Sequence, residues 1–165
     1  MASKHPSCDA KMTFSECELT ILRSAVDDAD TRRNKKIVNS PEVQRMIKLV
    51  EDFLRKKKLI CYGGTAINAL LPKHAQFYNK DTDLADYDFF SPNPVEDAKA
   101  LSNIFCKNGF EEVEAKSGQH HGTYKVFVNF IGMADITFLH KDVYNALKKE
   151  AKRVDGIYYC PPNYL

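Results

Sequence analysis

A chain of 165 residues is long enough for one domain with a real core and too short for two of ordinary size. Charged residues at 28% and hydrophobic ones at 44% exclude an intrinsically disordered chain, and no apolar run is long enough for a membrane span, so the composition predicts a soluble protein. The 24 basic and 22 acidic residues leave a net charge of +2, so any electropositive face has to come from segregation rather than excess. The two basic clusters, "RRNKK" at 32–36 and "RKKK" at 55–58, read as solvated helix ends, where cations complement the helix dipole. Five cysteines, Cys8, Cys17, Cys61, Cys106 and Cys160, are an odd number without a C-x-x-C pair, which predicts neither a zinc site nor a disulfide framework. The start, "MASKHPSCDAKM", has no apolar h-region, which points to a reducing intracellular setting.

In chain order, Thr13 and Glu16 stand at capping-box spacing and open a helix expected to run to about residue 30. A stronger start follows, with Ser40 as N-cap, Pro41 at the first helical position, and Val43, Met46, Ile47, Val50 and Leu54 at helical spacing. "KLICY" is a short buried strand ending at Gly63, and "TAINALL" a helix stopped by Pro72. A polar loop at 73–83 leads to the strand "LADYDFF", then to a helix over 94–108 ended by Gly109. Strands are expected at 110–115, 123–130 and 133–139, the last two joined by a short link containing Gly132. A helix over 142–152 precedes "VDGIYY", where Asp155 and Gly156 form a tight turn. These elements make a mixed sheet flanked by helices, an α+β domain.

Residues i and i+2 of a strand share a face, so "LADYDFF" sets the carboxylates of Asp86 and Asp88 side by side in an apolar strand. Two like charges there are costly unless a cation or a shared proton relieves them. Asp135 in "MADITFL" is equally out of place, and if the two strands are neighbours the three carboxylates form an oxygen-rich set suited to Mg²⁺ or Mn²⁺. A second D-x-D, Asp81 and Asp83, sits in the polar loop, where exposure is free, so the later pair is preferred. The strand, glycine pair, threonine and helix start around Gly63, Gly64 and Thr65 offer backbone N–H groups at a positive dipole end, although this is neither a Walker loop nor G-x-G-x-x-G. A glycine pair alone also serves as a plain turn. Asn68 could add a polar contact or a purely structural one. Lys125 and His121, near the third carboxylate in sequence, read as surface or loop residues.

"YGGTAINALLP", "DYDFFSPNP" and "HGTYKVFVNFIGMADIT", in this order, resemble the nucleotidyltransferase domain of poly(A) polymerase catalytic subunits of large nucleocytoplasmic DNA viruses, in the polymerase-β-like superfamily. The resemblance runs from about Lys58 to the C-terminus, which sets the expected division: a helical segment over 1–57 and a catalytic domain over 58–165. It implies Asp86, Asp88 and Asp135 as catalytic residues holding two Mg²⁺ or Mn²⁺ ions, with Gly63, Gly64, Thr65 and Asn68 at the phosphates of ATP. It implies transfer of AMP to an RNA 3′ end, in the cytoplasm of an infected cell or in a virion. In this family the chain continues well past "CPPNYL", so a second protein chain or a downstream region is expected to complete the base and primer surfaces. Two alternatives remain open: a same-fold nucleotidyltransferase acting on a protein or small molecule, and a non-catalytic binding module.

Overall fold

The structure, a computed structural model, describes residues 8–9, 11–79, 83–84 and 86–165, without the Asn34 side chain. Five helices and seven strands follow in order: α1 (Phe14–Val38), α2 (Pro41–Lys57), β1 (Ile60–Tyr62), α3 (Gly63–Leu70), β2 (Tyr87–Ser91), α4 (Pro94–Lys107), β3 (Val113–Ser117), β4 (Thr123–Val128), β5 (Ile131–Phe138), α5 (Lys141–Glu150), β6 (Lys152–Val154) and β7 (Ile157–Tyr159). Short 3₁₀ turns lie at Lys73–Ala75 and Pro162–Tyr164. The strands form one sheet in the order β3-β4-β5-β2-β1-β7-β6. Among the described residues only β2 with β5 and β1 with β7 run parallel. The expected α+β architecture is present.

One face of this sheet is the core. Burial alternates along β2, with Tyr87, Phe89 and Ser91 buried and Asp88 and Phe90 only partly so, as a strand covered on one side requires. Helix α2 supplies Val43, Met46, Val50, Phe53 and Leu54 to the same apolar cluster, and α4 supplies Ala98, Leu101 and Phe105. The Ser40 side chain accepts from the Val43 amide and Pro41 takes the first turn, so the expected start of α2 is met. Tyr87 donates a 2.8 Å hydrogen bond to Glu51 of α2, fixing β2 to that helix. A buried carboxylate, Asp97, is satisfied by the Ser91 hydroxyl and by Lys57, and so is structural.

Four expectations change. Helix α1 has the capping box at Thr13 and Glu16 but continues to Val38, because no glycine or proline interrupts it before Asn39 caps it. Its Phe14, Leu19, Leu22 and Val26 are exposed. Cys8 and Cys17 form a disulfide against the expectation of none: the chain before Thr13 folds back onto the first turn of α1 and brings the two Cα atoms to 5.2 Å. Strand β2 begins at Tyr87 rather than Leu84, because its ladder with β5 starts at Tyr87↔Ala134. The β4–β5 link is Asn129–Phe130 and Gly132 belongs to β5. Both link residues have positive φ, 50° and 64°, the geometry of a type I′ hairpin turn. Asp155 and Gly156, at 49° and 83°, make the expected tight turn between β6 and β7.

Phe130 therefore holds a left-handed backbone that glycine takes without strain, while its side chain is 80% exposed and buries little. Phe130→Gly should leave stability unchanged or raise it by up to about 1 kcal/mol, whereas Phe89→Ala in the core should cost about 3–5 kcal/mol. Urea unfolding of the two variants checks both; a loss above about 1 kcal/mol for Phe130→Gly would show that the ring packs on the protein.

Candidate active site

The face of the sheet opposite α2 and α4 carries the polar residues. Strand pairing fixes their order: Tyr62 of β1 lies opposite Asp88 of β2, Asp88 opposite Asp135 of β5, and Asp135 opposite Lys125 of β4. Four strands thus deliver one row of side chains across the sheet. Beyond the row, the Tyr62 and Thr137 hydroxyls share a 2.8 Å hydrogen bond, and Thr137 reaches Thr123 at 2.9 Å. Tyr62, Asp88, Asp135, Lys125 and Thr123, together with residues 116–120 at the end of β3 and the loop after it, line a cleft of about 610 Å³.

The row depends on a β-bulge. Phe127 pairs with Gly132 but Val126 with Ala134, so Met133 is an extra residue in β5. Without it the hairpin register would bring Ala134, not Asp135, opposite Lys125. The observed register gives a 2.5 Å ion pair between Lys125 Nζ and Asp135 Oδ2, with side chains 38% and 18% exposed. Lys125 is therefore in the site, a correction to its reading as a surface residue. His121 lies exposed in the β3–β4 loop, as expected of it.

Asp86 stands one residue before β2 rather than inside the strand, and its residue surface is exposed. Its carboxyl is nevertheless pushed above the usual range, first by desolvation and then by Asp135. Desolvation also leads for Asp88, with repulsion from Asp86 and Asp135 next, and its pKa rises to about 6. Lys125 opposes both shifts, and its own pKa is raised chiefly by the hydrogen bond to Asp135. The three carboxylates thus feel one another, although among the described residues no three His, Cys, Asp or Glu side chains close into a finished metal cage.

The glycine turn abuts this cluster. Strand β1 ends at Tyr62 and α3 begins directly at Gly63, which has φ +69°. A Cβ at Gly63 would lie 2.6 Å from Asp88 Oδ2, so a side chain is excluded there by both backbone and neighbour. A Cβ at Gly64 would collide with the Tyr78 hydroxyl. The Thr65 hydroxyl donates to the Asp86 carbonyl at 2.6 Å, and Asn68 Oδ1 accepts from the Phe77 and Tyr78 amides. Both polar side chains are thus engaged within the protein, Thr65 holding the approach to β2 and Asn68 the loop that carries Tyr78.

Of the second D-x-D, Asp81 lies outside the described residues, and Asp83 accepts from the Asn79 amide at 2.8 Å. Tyr62, Tyr78, Thr123 and Lys125 went unrecognised in the sequence as site residues. For Lys125 a signal existed: a lysine alternating with Val126 and Val128 in a strand next to a misplaced aspartate, hidden only by the bulge.

The carboxyl groups fit a divalent cation by their chemistry, since hard oxygen donors that repel one another gain from a shared cation. The pH dependence has a definite sign. Asp88 binds its proton more tightly folded than unfolded, so its contribution to stability is present at low pH and is lost as pH rises from about 3.8 through about 6. In chelator, Asp88→Asn should therefore melt higher than wild type at pH 7.5, with the gap closing toward pH 4. Thermal melts across that range check it; a variant less stable at pH 7.5 would show that the charge is already compensated. Gly63→Ala should lose about 1–2 kcal/mol from the left-handed backbone alone, and should abolish any Mn²⁺-dependent thermal shift because the new methyl displaces Asp88. A retained shift would place the cation elsewhere.

A family model described as poly(A) polymerase catalytic subunit matches residues 48–165. A candidate poly(A) polymerase catalytic subunit of Acanthamoeba polyphaga mimivirus is 36% identical over 128 residues, covering 75% of this chain and 21% of that protein. One from African swine fever virus is 34% identical over 113 residues, covering 68% and 24%. The crystal structure of the Megavirus polyadenylate synthase superposes with a TM-score of 0.76 at 27% identity, over 98% of this chain and 34% of that one. The chain thus spans about a quarter of the length of these curated relatives. The match of most of the chain to the family model, the identity to both viral proteins and the shared fold agree: the chain belongs to the poly(A) polymerase catalytic subunit family.

Proposed function

We propose that this chain carries the nucleotidyltransferase site of a template-independent poly(A) polymerase, which adds AMP from ATP to RNA 3′ ends and releases pyrophosphate. The observation that carries the reading is the register pair Asp88↔Asp135 lying directly against the Gly63 start of α3. In this reading the Asp86, Asp88 and Asp135 carboxylates hold two Mg²⁺ or Mn²⁺ ions, which when bound neutralise phosphate charge and lower the pKa of the attacking hydroxyl. The Gly63, Gly64 and Thr65 amides, at the positive end of α3, hold the triphosphate. Asn68 acts one step back, by fixing the loop that sets Tyr78 against Gly64. The RNA 3′ hydroxyl gives its proton to solvent as its oxygen bonds to the α-phosphorus of ATP, the bond from that phosphorus to the bridging oxygen breaks and pyrophosphate leaves from the opposite side, and orientation of the two reactants supplies much of the rate.

Residues 58–165 form the catalytic unit in this account, with α2 packed onto it as part of the same core. The base and primer surfaces are shared with a downstream region or a second protein chain, and the setting is the cytoplasm of an infected cell or a virion. Among the described residues no helix is long and apolar enough to cross a membrane.

The test is incubation with labelled ATP, Mg²⁺ or Mn²⁺ and an oligo(A) primer, resolved on a length gel. Primer label that grows with wild type and not with Asp88→Asn or Asp135→Asn, and that weakens steeply as salt rises, is the expected result. The isolated chain should be slow and poorly selective among the four bases, because an open cleft leaves water in the site and the primer end loosely held. Label appearing on protein rather than on RNA would favour the same fold acting on a protein acceptor. No triphosphate turnover under any condition would leave only a binding module.

A further inference from the structure

The Lys125–Asp135 pair has a geometry that the proposed reaction does not use. The ammonium sits 2.5 Å from Asp135 Oδ2, on the carboxylate group that a divalent cation would also need. It is placed there by backbone register, and that register exists only because Met133 is bulged. Lys125 has Thr123 beside it along β4, its hydroxyl engaged with Thr137, and Lys116 opposite it in β3, and it interacts electrostatically with Asp86 and Asp88 beyond Asp135. No other cationic side chain pairs with any of these three carboxylates among the described residues.

We infer that Lys125 is a built-in counter-ion of Asp135 that competes with the divalent cation for this carboxylate. The inference rests on the metal-site reading above. Lys125 holds Asp135 in a defined orientation on the sheet and offsets its charge while no cation is bound. A cation that takes Oδ2 of Asp135 displaces the ammonium, which then swings on its flexible stem toward the cleft, where a phosphate oxygen is its natural partner. Lys125 is thus a positioning residue acting through Asp135. Its effect is to make loading of Asp135 weak in empty protein and stronger once a triphosphate is present, because only the triphosphate gives the displaced ammonium a new partner.

Mn²⁺ binding measured by electron paramagnetic resonance, with and without a non-hydrolysable ATP analogue, tests this without turnover. Lys125→Met should bind Mn²⁺ about tenfold more tightly than wild type in the absence of nucleotide, the size expected for losing a partly exposed charge competitor. The analogue should enhance Mn²⁺ affinity in wild type and much less in Lys125→Met. Lys125→Arg, which keeps the charge, should stay near wild type, and Lys99→Met, which removes a charge paired with Glu96 on α4 on the other face of the sheet, should too. Unchanged or weaker Mn²⁺ binding by a Lys125→Met protein that melts like wild type would overturn the inference while leaving the metal site standing. Absence of Mn²⁺ binding in wild type and all variants, with or without the analogue, would overturn both.

Discussion

The register pair Asp88↔Asp135 is the constraint around which the rest of this molecule is arranged. Two parallel strands set two carboxylates next to each other at the centre of a seven-stranded sheet, with a third, Asp86, at the strand entrance. Burial, and then the like charges so placed, raise the proton affinity of Asp88 and weaken the fold at neutral pH. In the proposed reading a bound cation offsets this cost, and the surroundings are shaped to keep the carboxylates together. Gly63 leaves room for Asp88, the Met133 bulge brings Asp135 opposite Lys125, and Thr65 ties the chain before β2 to α3.

The division of labour between the two faces of the sheet explains how the charges are supported. The face under α2 and α4 is tightly packed, with Met46, Leu54, Phe89, Leu101 and Ile136 fully buried, and it holds the backbone rigid. The opposite face needs little packing of its own, because the strands that bear it are already fixed from below. It can therefore carry hydroxyls, carboxylates and an ammonium in an order set by the ladder. The short α3 begins at Gly63, directly after Tyr62 at the end of this row.

Much of this was legible in the sequence because it rests on local rules. Apolar periodicity at Val43, Met46, Val50 and Leu54 gave α2, alternation gave the strands, and misplaced aspartates gave Asp88 and Asp135. What stayed hidden depends on non-local register or on several weak local signals together. The position of Lys125 required knowing that one residue of β5 is bulged, and the end of α1 required weighing a long polar helix without a stop signal. The commitment of Asn68 Oδ1 to the amides of Phe77 and Tyr78 comes from a loop folding back over the glycine turn, which no spacing rule reveals. Asp86 has apolar neighbours and reads as part of the strand, yet the ladder between β2 and β5 begins one residue later, at Tyr87↔Ala134.

The central claim is that Asp86, Asp88 and Asp135 together hold a divalent cation beside a triphosphate gripped by the start of α3. Anomalous diffraction from a crystal soaked with Mn²⁺ and a non-hydrolysable ATP analogue addresses it directly. The account predicts anomalous peaks about 2.1 Å from carboxylate oxygens of Asp88 and Asp135, with the triphosphate against the Gly63 and Gly64 amides. Mn²⁺ located away from these carboxylates, or a triphosphate seated elsewhere with the Lys125–Asp135 pair intact, would contradict it.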